Sequence, residues 1–181
     1  MAIGMRPTEA LREEHRVIER ALDALEKAAE RMESGQEVSQ EVLKDIVSFA
    51  RGFADRCHHH KEEGVLFPYL EERGLPRDLG PIGVMLAEHD EGRAHVKAMS
   101  EAIAESRPKE FVAHAQGYIQ LLRDHIAKED DVLFPMAEQM MSGPEAEGLM
   151  EEFERAEKEL GESHQRYLEI VEDVERALGI R

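Results

Sequence analysis

The sequence repeats one arrangement of metal-binding residue types. HHHKEEGVLFP, from His58 to Pro68, and HIAKEDDVLFP, from His125 to Pro135, share the frame H-x-x-K-E-[ED]-x-V-L-F-P. In each copy a histidine precedes a glutamate by four positions, His58 with Glu62 and His125 with Glu129. On a helix that spacing puts both side chains on one face, about one turn apart. A Glu-His pair lies upstream of each copy, Glu14-His15 and Glu88-His89, so the chain reads as a duplicated helical hairpin. Four imidazoles and two carboxylates gathered in a bundle interior form a mixed nitrogen and oxygen donor set. Iron suits it and zinc also accepts both donors, so residue type alone leaves the metal open. The alternative is a metal-free core network of His-Glu pairs, which must bury many titratable groups with no cation to balance them.

Within the three-histidine run the repeat singles out His58, because His59 stands opposite Ile126 and His60 opposite Ala127 in the second copy. At helical spacing His59 shares a side with Ser48, Asp55 and Glu63, which reads as a solvated face. His60 lies near Phe49, Phe53 and Phe67 and reads as a partly buried packing residue. The expectation is that His58 and Glu62 belong to the site while His59 and Glu63 lie outside it.

Long helices must position these groups, and the chain is punctuated for them. Thr8 is placed to cap a first helix whose apolar stripe, Leu11, Ile18, Leu22 and Leu25, includes His15 and ends near Ser34-Gly35. A second helix runs from about Ser39 to Glu71-Glu72, before Gly74, Pro76 and Gly80-Pro81. A third runs from about Ile82 to Glu105, and a fourth follows Ser106-Arg107-Pro108 and ends near Met141. Ser142-Gly-Pro-Glu145 reads as a capping box that opens a fifth helix reaching Leu178. Pro68 and Pro135, late in the second and fourth helices, each delete a backbone hydrogen bond and predict a bend or an end nearby.

Bulk composition agrees with an all-α chain: Ala, Leu, Glu, Met, Arg and Lys abound, and the Val, Thr and aromatic clusters of strands are missing. The 35% of charged residues could suggest disorder, but 41% hydrophobic residues at helical spacing argue for a packed bundle. A net charge of -17 opposes any grip on nucleic-acid phosphates, which depends on clustered Lys and Arg. MAIGMRPTEA has no apolar core of a signal peptide, and no apolar run approaches the roughly 20 residues of a membrane span. With Cys57 as the single cysteine, no intramolecular disulfide can form, and a reducing, cytoplasmic setting is expected.

In order along the chain, His15, His58-x-x-x-Glu62, His89 and His125-x-x-x-Glu129 resemble the hemerythrin-like family, the HHE cation-binding domains, over roughly residues 8 to 141. The resemblance implies an up-down-up-down four-helix bundle over residues 1–141. Residues 142–181 would add a C-terminal helix packed on or beside it, able to dock a protein partner or a second copy. It also implies two non-haem iron ions, with zinc or manganese as substitutes. His15 and His58 would hold one and His89 and His125 the other, with Glu62 and Glu129 bridging. The implied ligand is O2, NO or peroxide, in a role of sensing, storage or stress protection, with peroxidase-like or catalase-like turnover left open. An iron-storage bundle is a rival, weakened because Asp55 and Leu122 stand where its Glu-x-x-His signature needs glutamate. A metal-free acidic helical interaction module is another.

The chain departs from oxygen-carrying relatives at Arg93, where they place a second histidine four residues after the first. Arg93 could orient a carboxylate or extend into solvent. His164, in GESHQRY, resembles a Gly-x-x-His-x-x-Tyr segment of some family members and could supply the missing ligand or lie on the surface. Tyr118, two turns from His125, reads as a donor reaching the site or as plain core. His114 is too far along the same helix, about 16 Å from His125, and reads as a core histidine. His95 points away from the face of His89.

Overall fold

The computed structural model describes residues 4–161 and 163–180, and these are helical apart from short connections, with no strand among them. Helix α1 (Pro7–Glu33) is capped at Arg6, two residues before the Thr8 cap expected from the sequence. Proline suits the first helical position, and the Arg6 N–H donates to Glu9 Oε2 at 2.9 Å to complete the cap. Thr8 is therefore inside the helix, where its hydroxyl donates to Glu138 at 2.9 Å.

The second helical run changes its winding along its length. It starts as α2 (Gln40–Phe49), with Ser39 Oγ accepting from the Val42 N–H, and continues as the π-helix π1 (Ala50–His59). After His60-Lys61 comes π2 (Glu62–Leu66), then α3 (Phe67–Glu72). Helix α4 (Pro81–Ala104) follows, then α5 (Pro108–Lys128), π3 (Glu129–Leu133) and α6 (Phe134–Met140).

The short π-helices π2 and π3 occupy the same place in the two repeats, directly before Phe67-Pro68 and Phe134-Pro135. A proline cannot donate to the carbonyl four residues back, and its ring crowds it. Here the Phe67 N–H bonds to the Glu62 carbonyl, and the Phe134 N–H to that of Glu129, each five residues back. This wider turn carries the backbone past the lost bond, so neither proline ends its helix.

Each of the four long helical runs crosses the same three layers. In α1, Leu11 belongs to one apolar cluster, Ile18 to another, and His15 lies between them. The second run passes from Phe53 through His58 and Glu62 to Leu66, α4 from Met85 through His89 to Val96, and the fourth run from Leu122 through His125 and Glu129 to Leu133. A buried polar layer is thus held between two apolar ones.

The C-terminal part is two helices, not the one expected to reach Leu178. Helix α7 (Gly143–Leu160) opens on the anticipated Ser142-Glu145 capping box and stops at Gly161, whose φ of 66° is left-handed. Ser163 then caps α8 (His164–Ala177), its Oγ accepting from the Arg166 N–H. Helix α7 lies against α1, π1 and π2, and α8 against α1 and α2. Gly52 permits that docking, since a Cβ on it would sit 1.9 Å from the Tyr167 hydroxyl. Arg20 grips Glu175 through two bonds of 2.9 and 2.7 Å. No helix among the described residues is long and apolar enough to cross a membrane.

Candidate metal centre

The polar layer contains two groups of converging donors. His15, His58, Glu62 and Glu129 form one, and His59, Glu62, His89 and His125 the other; within each, ligand atoms all lie within 4.8 Å of one another. Glu62 is common to both, with Oε1 at 3.0 Å from His58 Nε2 and Oε2 at 3.1 Å from His89 Nε2. Glu129 spans the same gap, its Oε1 at 2.8 Å from His125 Nε2 and 3.5 Å from His15 Nε2. His89 and His125 bring their Nε2 atoms to 3.1 Å. All six residues expected from the repeat are brought together, and all are buried.

The structure reverses the expectation for His59 and His60. His59 is 3% exposed and stacks on His89 with ring centroids 3.8 Å apart, whereas His60 is exposed. The expectation assumed a regular 3.6-residue turn, but His59 ends the ten-residue π1, where each turn holds more residues and neighbouring side chains fan through a smaller angle. His58 and His59 therefore both face inward. A signal was available: the residue opposite His59 in the second copy is Ile126, itself 3% exposed, while Ala127, opposite His60, is exposed.

Each of the five imidazoles has a carboxylate beside its outer nitrogen. His15 Nδ1 is 2.7 Å from Asp130, His58 Nδ1 3.0 Å from Glu14, and His125 Nδ1 3.1 Å from Glu88. His59 Nδ1 is 3.4 Å from Asp55, and His89 Nδ1 is 3.7 Å from Glu63. Cations hold the carboxylates in turn: Arg16 on Asp130, Lys61 on Glu14, Lys128 on Glu88, and Arg93 on both Asp55 and Glu63. Carboxylates so placed fix the rings with Nε2 facing the donor groups. The repeated Phe67 and Phe134 stack on His89 and His15, at 6.0 and 5.4 Å between centroids.

Burial opposes protonation of His58, but Glu62 and Glu14 outweigh it and raise its pKa to about 10. Glu129 and Glu88 likewise raise His125 to about 10 against burial. Burial and the neighbouring His89 push His59 well below the usual imidazole range, toward the neutral form that binds metals.

Arg93, expected either to pair or to extend outward, pairs with Asp55, Glu63 and Asp90. Tyr118 is buried beside the centre without joining either donor group. His164 does not replace the missing imidazole. It starts α8 in a separate cluster, with Nε2 at 3.0 Å from Cys57 Sγ, 3.2 Å from Glu157 and 3.4 Å from Glu14. His95 and His114 pair with each other at 3.1 Å, and His114 is half-buried rather than core.

A cation fits the residues present. His15 Nε2, His58 Nε2 and both oxygens of Glu62 and of Glu129 are buried with no hydrogen-bond partner among the described residues, although they crowd together. Buried polar atoms rarely go unsatisfied, and orphaned lone pairs that converge are the mark of a cation site.

Residues 6–137 match the hemerythrin HHE cation binding domain, and the chain belongs to that family. It is 29% identical over 180 residues to Uncharacterized protein Rv1995 of Mycobacterium tuberculosis (strain ATCC 25618 / H37Rv), covering 95% of this chain and 70% of the relative. The same figures hold for Uncharacterized protein Mb2018 of Mycobacterium bovis. A shorter likeness, 33% over 88 residues, covers 44% of this chain and 40% of Iron-sulfur cluster repair protein YtfE of Escherichia coli (strain K12 / DH10B).

Proposed function

We propose that the protein holds a pair of iron ions in the polar layer and uses them to bind or react with a small molecule of the O2, NO or peroxide class. The observation that carries this reading is the position of Glu62 and Glu129. Each reaches imidazoles of both donor groups, and none of their four oxygens has a hydrogen-bond partner among the described residues. His15 and His58 would hold one iron, His59, His89 and His125 the other, and the two glutamates would span them. His59 supplies the imidazole that Arg93 takes from the family pattern.

The iron pair, when bound, would supply Lewis-acidic, redox-active positions for the small molecule. The chain supplies everything around it. The five outer carboxylates keep each Nε2 directed inward, Phe67 and Phe134 cover His89 and His15 against water, and the bridging glutamates offset cationic charge. The His15 and His58 position has one imidazole fewer, so it would be the side that leaves room for a ligand.

The alternation of layers along the four helical runs supports the up-down-up-down bundle over residues 1–141, with 142–181 as an extension laid on it. A single buried Cys57 suits a reducing cytoplasm. The likeness to an iron-sulfur cluster repair protein favours a second reading, in which the same centre handles iron for transfer.

Anaerobic reconstitution with Fe(II), followed by elemental analysis, tests the proposal. About two irons per chain are expected, with an absorbance change on exposure to O2 or NO. About one would refute the shared-carboxylate pair, and none would refute the metal reading. Loss of iron to an acceptor protein under reducing conditions would favour the transfer reading.

A further inference from the structure

A cavity of about 110 Å³ lies among π1, α4 and α5 and borders the metal centre through His59, Asp55 and Arg93. It has room for roughly three or four water molecules, at about 30 Å³ each. Tyr118 lines it from α5. This tyrosine is 4% exposed, and its hydroxyl has no hydrogen-bond partner among the described residues. The ring is enclosed, but the hydroxyl itself opens on the cavity and is free to donate to whatever occupies it.

The charge of the wall is the second observation. On a protein of net charge -17, Arg51, Arg93 and Lys97 all line this one cavity, against the single carboxylate of Asp55. Asp55 is already bound by Arg93, while Arg51 and Lys97 form no ion pair among the described residues. The remaining wall, Ala50, Gly92 and Val96, offers no polar side chain. Donors and unspent positive charge beside an apolar surface suit an anion that is small, singly charged and weakly hydrated. A strongly hydrated or divalent anion would lose more solvation than these groups return.

We propose that this cavity binds a small monovalent oxyanion of the nitrate and nitrite class, with Tyr118, Arg51 and Lys97 as its donors. The site does not depend on the iron reading, because none of these three residues belongs to the donor groups. The phenol supplies a directed hydrogen bond and the two cations attract the anion at the mouth.

Calorimetric titration of sodium nitrate into the iron-loaded protein, with ionic strength held by sulfate, tests this. One saturable site per chain is expected. Tyr118→Phe should weaken it about tenfold, the worth of one hydrogen bond to a charged group, and Arg51→Gln with Lys97→Gln should weaken it further. Iron content and helicity should stay unchanged in the Arg51 and Lys97 variants. The Glu62→Ala protein separates this site from the metal: Tyr118-dependent binding that survives there supports the cavity even if the iron reading fails. Absence of saturable binding, equal affinity in Tyr118→Phe, or binding lost with the metal in Glu62→Ala would each overturn the proposal.

Discussion

Around His58, the orienting carboxylate of Glu14 is held by Lys61 beneath the C-terminal helices, where Glu157 meets the same ammonium. Around His125, the equivalent Glu88 is held by Lys128 near the surface. The Lys61 side chain is 2% exposed and that of Lys128 is 49% exposed. The two repeats thus build the same chain of imidazole, carboxylate and ammonium, and only the first is covered. A second difference lies beside them, where His59 in one copy stands in the place of buried Ile126 in the other. Duplication supplies a shared scaffold, while the covering helices and His59 make its halves chemically unequal.

The largest effects should come from the residues that ignore this inequality. Glu62→Ala and Glu129→Ala each remove a carboxylate that spans both donor groups, so each should take iron from about two per chain to near zero. Elemental analysis after reconstitution checks this. Loss of one iron in either variant would mean that its carboxylate serves one half alone.

His59→Ala tests the inequality directly. It should lower iron to about one per chain, while His60→Ala leaves about two. Equal iron in the two variants would return His59 to the role of a packing residue and leave the halves with two imidazoles each.

Stability should separate the two lysines. Lys61→Met strips the counter-ion from Glu14 and Glu157 in a buried setting and should cost about 3–5 kcal/mol. Lys128→Met removes a half-exposed partner and should cost under about 1 kcal/mol. Thermal unfolding of the two variants gives the comparison, and similar losses would show that the C-terminal helices add no burial that matters at Lys61.

Why His59 was hidden in the sequence follows from the same contrast. The repeat revealed what the two copies share: His58, Glu62, His125 and Glu129, with His15 and His89 upstream. It could not assign a residue with no histidine counterpart, and the 3.6-residue template then turned His59 outward because nothing in the composition of π1 announces a wider turn. The buried character of the position was legible in Ile126, but only to a comparison of side-chain burial across copies instead of residue identity. The helices were legible for the opposite reason, since their apolar stripes and caps are local signals. At Gly161 the stop is a local signal too, a left-handed glycine that divides the one helix expected there into two.

Arg93 should show a smaller effect than the ligands, because it acts through Asp55 and Glu63 on His59 and His89. Arg93→Gln should weaken metal affinity about 10- to 100-fold, as loss of an outer partner does, with rescue in part by Arg93→Lys. Competition with a chelator measures it. An unchanged affinity would confine Arg93 to a surface ion pair.

The smallest effect concerns how the covering helices respond to pH. Cys57 and Glu157 beside His164 raise its pKa to about 10, with Glu14 adding to the same field and Lys61 facing the same carboxylates. A histidine whose folded pKa exceeds its unfolded value of 6.5 contributes its stabilisation fully below pH 6.5 and loses it as pH rises toward 10. His164 is 38% exposed, so solvent screening keeps this contribution small. The melting temperature of the native protein should therefore fall more steeply between pH 6.5 and 10 than that of His164→Gln. Parallel curves would show that His164 is not charged against Glu157, and that other contacts hold the cover over the first repeat, among them packing at Gly52, Arg20 with Glu175 and Lys61 with Glu157.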